Sequence, residues 1–262
     1  MYRSTRWLAA ASIALLVPAT ASAQINFQKT GYYLGLGDSV AAGEGAMPVT
    51  NGYVYRLYEG GTFGAKQDMD FANAAIRGGR TWEFRDAQVA EVLCAASALR
   101  PTVVTITVGA NDFLRGDTNI FGIASRVVEG INRLLNNGTA YASTPVVDPA
   151  SGAVCPPLSN VTILVSNYYS IPHPVPQVDA MLDSALSGFD MALRFLVPQV
   201  HVPSGSRLAL VDLYHPSLDR EGLVLIERRL GFTSPFDFEV HPTNAGHAFI
   251  AAQFAEAWLK IQ

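Results

Sequence analysis

The sequence predicts an α/β fold in which a five-stranded parallel sheet is covered by helices on both faces. Short apolar segments recur along the chain, and segments with helical spacing of apolar residues separate them. This alternation is typical of parallel sheets, because their strands are buried on both faces and their crossovers are helices. The chain has 262 residues, of which 49% are hydrophobic and 15% charged, and this composition is that of a globular protein.

The predicted strands are short, apolar and followed by turn-forming residues. The clearest is the β-branched run that begins at Val103, and the weakest begins at Met69. The five strands are Tyr32–Leu36, Met69–Ala72, Val103–Val108, Val161–Val165 and Leu208–Val211.

Apolar residues at helical spacing predict four helices between and after these strands. Thr81 could cap the first, which stops before Pro101, and Asn136-Asn137-Gly138 ends the second. The other two cover Val178–Phe189 and a segment that begins near Asn244.

Residues 1–23 predict a secretory signal peptide. Two arginines precede an apolar run from Trp7 to Val17, and Ala21-Ser22-Ala23 supplies the small residues that a signal peptidase reads. The run is shorter than the roughly 20 apolar residues that span a bilayer. We therefore expect cleavage near Ala23 and a single domain over residues 24–262. That domain would be secreted or periplasmic, with no transmembrane segment.

The two cysteines, Cys94 and Cys155, are expected to form a disulfide, because paired cysteines predominate in oxidising compartments. The alternative is two buried thiols. Five scattered histidines without a His-Glu-x-x-His spacing do not indicate a metal site. The formal net charge of −4 offers no basic field for a nucleic acid.

Polar clusters follow the first three predicted strands, and a fourth precedes the last helix. Ligands of open parallel sheets bind at the carboxyl ends of the strands, so these clusters should meet. A serine, a histidine, an amide side chain and glycine amides are the parts of acyl transfer. Each cluster alone would be an ordinary turn, so the specificity lies in their order. The clusters are Gly37-Asp38-Ser39, Asn73–Gly78, Gly109–Asp112 and His241-Pro242.

In this order the clusters resemble the SGNH (GDSL) hydrolase family, from about Tyr33 to Leu259. The resemblance implies a flavodoxin-like three-layer α/β/α sandwich that hydrolyses esters or thioesters without a cofactor. It implies Ser39 as the nucleophile and His241 as the base. The sequence has no Gly-x-Ser-x-Gly, so the α/β-hydrolase elbow does not apply.

The resemblance also implies the oxyanion hole. Its donors would be the amides of the serine and of Gly78 and the side chain of Asn111, with Gly79 as a one-residue alternative to Gly78. Asp38 and Asp112 follow strand ends, where their carboxylates can accept backbone amides. We expect these two residues to brace the serine and asparagine loops rather than to transfer protons.

One position departs from the family pattern. The family carries Asp three residues before the histidine, and here that residue is Phe238, flanked by Asp237 and Glu239. The imidazole needs an acceptor for its Nδ1–H to fix its tautomer. The main-chain carbonyl of Phe238 could serve, giving a Ser–His dyad, or either flanking carboxylate could. We favour the carbonyl.

A second Asp-x-x-His-Pro pattern runs from Asp212 to Pro216 and includes His215. It follows the fifth strand, whereas the family places its histidine just before the last helix. We therefore predict His241 as the base, and His247, two turns further on, as a packing residue.

The sequence says less about the substrate. Tyrosines at 53, 55 and 58, together with Phe113 and Leu114, could wall an acyl pocket or could be ordinary packing. The prediction is a monomeric serine esterase or lipase acting on a small-molecule, lipid or carbohydrate ester. A catalytically inactive binding protein on the same fold is the alternative, supported only by the missing Asp at position 238. A flavodoxin-like flavin or nucleotide binder is a third, which the absence of a Gly-x-Gly-x-x-Gly turn opposes.

Overall fold

A parallel sheet forms the centre of the molecule. The computed structural model describes residues 31–95, 100–173, 175–218, 227–228 and 238–262. The strands are β1 (Gly31–Gly37), β2 (Met69–Asn73), β3 (Val103–Thr107), β4 (Thr162–Ser166), β5 (Arg207–Val211), β6 (Glu227–Arg228) and β7 (Phe238–Glu239). The first five form one parallel sheet in the order β2-β1-β3-β4-β5, and β6 pairs with β7 in an antiparallel ribbon. All five predicted strands are therefore confirmed, and no bound differs from its prediction by more than one residue.

Helices cover this sheet in two groups. One group packs α3, α4, α6 and α7 together, and the other packs α2 against α9, which also contacts β4 and β5. The fold is thus the predicted three-layer α/β/α sandwich. The helices are α1 (Ser39–Ala42), α2 (Tyr53–Glu59), α3 (Thr81–Glu83), α4 (Val89–Cys94), α5 (Ala110–Leu114), α6 (Ile120–Asn136), α7 (Pro176–Leu196), α8 (Tyr214–Ser217) and α9 (Asn244–Lys260).

The start of α3 differs from the prediction that Thr81 would cap it. Arg80 occupies the cap position and the helix begins at Thr81, whose hydroxyl donates to Asp112 at 2.8 Å. The tertiary partner therefore takes the side chain that local sequence assigned to capping. A π-helical stretch, Phe84–Gln88, joins α3 to α4. The rest of the predicted helix, residues 96–99, lies outside the described residues.

The strand order reverses direction between β1 and β3. β2 lies on one flank of β1 and β3 lies on the other, so the chain first moves outward to β2 and then returns past β1 to β3. At such a switch point the connections leave in opposite directions, so a crevice opens at the carboxyl ends of the two strands. Gly37 and Thr107 are paired at this edge, and the Ser39 and Asn111 segments follow them directly.

A disulfide joins Cys94 to Cys155, with the two Cα atoms 5.1 Å apart. It lies at the amino-terminal ends of the strands, opposite the crevice, because Cys94 ends a helix that precedes β3 and Cys155 precedes β4. The predicted pairing is thus present. None of the described helices is long and apolar enough to cross a membrane. The predicted signal peptide, residues 1–23, lies outside the described residues.

Candidate active site

Ser39 is presented by a tight turn at the end of β1. Asp38 caps α1 by accepting the Val40 amide at 3.0 Å, so Ser39 is the first residue of the helix. Gly37 has φ +129°, and a Cβ there would lie 2.0 Å from the carbonyl oxygen of Thr107. Only glycine fits such an approach. The buried Gln88 side chain makes two hydrogen bonds to the main chain of Gly37. Its Oε1 accepts from the Gly37 amide at 2.9 Å, and its Nε2 donates to the Gly37 carbonyl at 2.7 Å.

The structure brings Ser39 and His241 together. His241 lies between β7 and α9, and its Nε2 is 2.8 Å from Ser39 Oγ. The side chain of His241 is 14% exposed. A serine hydroxyl in hydrogen-bond contact with an imidazole can transfer its proton to that ring when it attacks a carbonyl carbon.

Hydrogen-bond donors lie on the segments that follow β1, β2 and β3, at the same end of the sheet as Ser39. The Ser39 amide begins α1, so it has no partner within the helix. Gly79 donates its amide to Ile76 in a turn, whereas the Gly78 amide has no recorded partner among the described residues. Asn111 Nδ2 donates to the Gly79 carbonyl at 3.0 Å, and the second N–H of this amide has no recorded partner among the described residues. The turn bond of Gly79 favours Gly78 over its neighbour as an oxyanion donor.

Two buried carboxylates brace the loops that carry these groups. Asp38 accepts the hydroxyl of Tyr168, which follows β4, in addition to the Val40 amide. Asp112 accepts the Thr81 amide at 2.9 Å and the Arg126 guanidinium at 3.1 Å. Each carboxylate therefore ties a loop of the crevice to a second element.

The pH dependence of stability provides a test of the Asp38 contact. Burial raises the pKa of Asp38 from 3.8 to about 7, although the hydrogen bonds from Tyr168 and Val40 oppose that rise. The folded state thus binds this proton more tightly than the unfolded state. The contribution of the protonated Asp38 carboxyl to the free energy of unfolding is full below pH 4 and is lost as pH rises through 7. Between pH 5 and 8 we expect wild type to lose on the order of 2 kcal/mol relative to Asp38→Asn in urea unfolding. Parallel curves for the two proteins would contradict this.

The second Asp-x-x-His pattern lies elsewhere. His215 Nδ1 is 3.1 Å from Asp212 Oδ2 at the end of β5, three strand positions or about 14 Å from β1. Arg194 donates to Asp212 at 2.7 Å and to Asp190 at 2.9 Å, which completes an ion-pair cluster. This cluster is remote from Ser39.

The residues that could orient His241 are described only in part. Asp237 lies outside the described residues, and for Phe238 and Glu239 the structure describes the backbone of β7. His247 is buried in α9, where it accepts the Tyr53 amide and donates to the Glu44 carbonyl. It packs beside the site and has no contact with Ser39 among the recorded hydrogen bonds of the described residues.

The tyrosines suggested for an acyl pocket pack internally. Tyr53 is fully buried and stacks on Phe254, while Tyr55 and Tyr58 contact Phe71. These contacts match the alternative of ordinary packing. Phe113 and Leu114 do line a cavity of about 250 Å³. Its other walls are Asp117, Thr118, Ile120, Met181, Leu182, Ser184 and Ala185.

Three residues of the site were not singled out from the sequence. Gln88 and Tyr168 support the Ser39 turn, and Glu44 lies 3.1 Å from His241 Nε2. Tyr168 and Glu44 could have been suspected, since one follows a strand end and the other lies in the Gly-Glu-Gly after the serine turn. Nothing marks Gln88 within its helix.

A parallel sheet covered on both faces, with a paired serine and histidine at the carboxyl ends of its strands, carries groups that acyl transfer can use. The sequence model of the GDSL-like lipase/acylhydrolase family matches residues 36–249, and the chain belongs to this family. A search of curated proteins finds no matching relative.

Solved structures share the fold at low identity. A lipolytic G-D-S-L family protein from Veillonella parvula has a TM-score of 0.56 and 14% identity, covering 87% of this chain and 98% of its own. An acetyl-xylooligosaccharide esterase variant from Geobacillus stearmophilus has a TM-score of 0.56 and 13% identity, with coverages of 88% and 95%. A family 3 carbohydrate esterase from Talaromyces cellulolyticus has a TM-score of 0.53 and 16% identity, with coverages of 88% and 97%.

Proposed function

We propose that this chain is a secreted serine esterase that works through an acyl-enzyme at Ser39, with His241 as the base. The observation that carries the proposal is the 2.8 Å contact between Ser39 Oγ and His241 Nε2, beside amides that make no other recorded bond in the described chain. Membership of the lipase/acylhydrolase family supports ester bonds as the target.

The reaction would run in two halves. His241 Nε2 takes the proton of Ser39 as Oγ attacks the ester carbonyl carbon, and the oxyanion accepts hydrogen bonds from the Ser39 and Gly78 amides and from Asn111. The tetrahedral intermediate collapses, and the leaving alcohol takes the proton from Nε2. Water then attacks the acyl-enzyme by the same route, releasing the carboxylic acid and restoring the Ser39 hydroxyl. No cofactor takes part in these steps.

His241 must keep its ring orientation through both halves. We propose that the main-chain carbonyl of Phe238 accepts its Nδ1–H, with Asp237 and Glu239 as the alternatives. Support comes from the chain itself, because Phe238 occupies the position of the family's Asp and β7 ends two residues before the histidine. Asp38 and Asp112 would hold the serine and asparagine loops in place.

The 250 Å³ cavity is our candidate for the acyl subsite. Leu114 lies three residues after Asn111 in α5, so the two share a helix face, and this neighbourhood supports an acyl subsite near the amide donor, although Asn111 itself does not line the cavity. Its volume is below the roughly 300–1,000 Å³ of typical ligand pockets. Short and medium acyl chains are therefore favoured over long ones.

Filling this cavity should change the preference for chain length. We expect Ala185→Trp to lower kcat/KM for p-nitrophenyl octanoate about tenfold or more and to leave acetate hydrolysis within threefold. Burial of each methylene contributes about 0.8 kcal/mol, so two lost methylenes suffice. Met191→Trp is the matched control, since Met191 is 63% exposed on the same helix and does not line the cavity. Equal losses on both esters would contradict this subsite.

Hydrolysis of p-nitrophenyl esters from C2 to C16 by the mature protein tests the function itself. We expect turnover by wild type and covalent labelling of Ser39 by a fluorophosphonate, because labelling needs an activated serine. Absence of both would overturn the proposal in favour of an inactive binding protein. Labelling without turnover would support the activated serine and indicate a narrow substrate range.

Secretion is part of the proposal. The Cys94–Cys155 disulfide supports an oxidising compartment, and the amino-terminal pattern supports export through a signal peptide. Cleavage near Ala23 would leave residues 24–262, which mass spectrometry of the exported protein would detect.

A further inference from the structure

An acidic side chain lies against the reactive nitrogen of His241. Glu44 Oε2 is 3.1 Å from Nε2, the same nitrogen that contacts Ser39 Oγ at 2.8 Å. The other carboxylate oxygen, Oε1, is 3.4 Å from Arg77 Nε. One carboxylate thus bridges the candidate base and an arginine that immediately precedes Gly78.

The main chain holds Glu44 in this place from both sides. Its amide donates to the Ser39 carbonyl at 2.9 Å, and its carbonyl accepts from His247 Nε2 at 2.8 Å. His247 Nδ1 accepts the Tyr53 amide, and burial lowers the pKa of His247 from 6.5 to about 4, so this ring is a neutral donor. The next residue, Gly45, has φ +85°, and a Cβ there would lie 2.2 Å from the Pro242 carbonyl oxygen. The Glu44 loop is therefore fitted closely against the His241 loop.

The position of this carboxylate has a chemical consequence. The nitrogen Nε2 must be unprotonated to accept the Ser39 proton. An anion at 3.1 Å favours the state in which Nε2 carries a proton, because an opposite charge stabilises the imidazolium. Arg77 neutralises the same anion from its other oxygen and so opposes that preference. Glu44 and Arg77 act on the base in opposite directions.

We propose that Glu44 is a positioning residue that holds a proton on His241 Nε2 as pH falls, and that Arg77 weakens this hold, so that the Glu44–Arg77 pair sets the pH below which Ser39 loses its base. This inference rests on the proposed esterase function. Other charged or titratable groups near His241 are His247, whose ring is neutral, and Asp38 below Ser39. Burial raises the pKa of Asp38 to about 7, so this carboxyl ionises in the same pH range in wild type and in all the variants. Asp237 and Glu239 come from the preceding segment.

The test is the pH profile of kcat/KM for p-nitrophenyl acetate in wild type and three variants. We expect Glu44→Gln to move the acid limb about one pH unit lower, since the amide keeps the shape and removes the charge. Arg77→Gln should move it higher. Glu59→Gln is the control. Glu59 is the last residue of α2, and its exposed carboxylate pairs with Lys66, so this variant should leave the acid limb in place.

The two variants with opposite shifts separate this role from a structural one, which would lower activity without moving the limb in opposite directions. An unmoved limb in Glu44→Gln, or equal shifts in both variants, would overturn the inference while leaving the esterase proposal intact. The NMR titration of the His241 ring gives a readout that does not need turnover. If wild type neither hydrolyses an ester nor is labelled at Ser39, the proposed function fails, and identical ring titrations in wild type and Glu44→Gln would overturn the inference separately.

Discussion

His241→Ala is expected to lower kcat for p-nitrophenyl acetate about 10³-fold, the middle of the range of about 10²–10⁴ for a general base. His241 Nε2 is the imidazole nitrogen in hydrogen-bond contact with Ser39 Oγ, and its loss leaves the serine without a proton acceptor. Ser39→Ala should lose at least as much, because no acyl-enzyme can form. Steady-state kinetics, with circular dichroism to verify folding, measures both.

His215→Ala is the matched control. It removes the histidine of the other Asp-x-x-His pattern, which is 56% exposed and lies in the Asp212–Arg194 cluster. Exposed ion pairs contribute about 0–1 kcal/mol, so the variant should fold and retain kcat within threefold. If His215→Ala lost its esterase activity while His241→Ala kept it, His215 and not His241 would be the base.

Removal of the disulfide should have the largest effect on stability. We expect Cys94→Ala/Cys155→Ala to lower the free energy of unfolding by about 4 kcal/mol, since the bond closes a loop with a sequence separation of 61. For a chain of this size, that corresponds to a fall in Tm of roughly 8–16 °C. Urea unfolding and calorimetry measure the two quantities.

Activity at 25 °C should persist in this variant, because the disulfide lies at the edge of the sheet opposite Ser39. Wild type treated with a reductant is the matched comparison. Its free energy of unfolding should fall close to that of the double variant, whereas the reductant should not change the free energy of unfolding of the double variant itself. A loss below 1 kcal/mol would mean that the loop before β4 is held by its other contacts. Those include Leu158 N to the Leu134 carbonyl at 2.7 Å and Asn137 Nδ2 to the Cys155 carbonyl at 2.6 Å.

Local chemistry explains why the strands could be predicted. The run from Val103 is β-branched and apolar, and β3 is buried along its whole length, so propensity and burial agree. The turn after β1 requires glycine at 37 and a capping carboxylate at 38, and both are visible in the sequence. At Thr81 the same reasoning was wrong, because a tertiary hydrogen bond to Asp112 took the hydroxyl that local sequence assigned to capping.

The alternation of strands and helices, the serine turn at the first strand end and the histidine before the last helix could all be predicted from the amino-acid sequence. These features depend on periodicity and on residues adjacent in the chain. The groups that contact the serine turn and His241 become visible only when the chain is folded. The contacts of Gln88 with Gly37, of Tyr168 with Asp38, and of Glu44 with His241 join residues 51, 130 and 197 positions apart. No local pattern encodes such distances, because they arise when the crossovers of a parallel sheet bring remote segments to one edge.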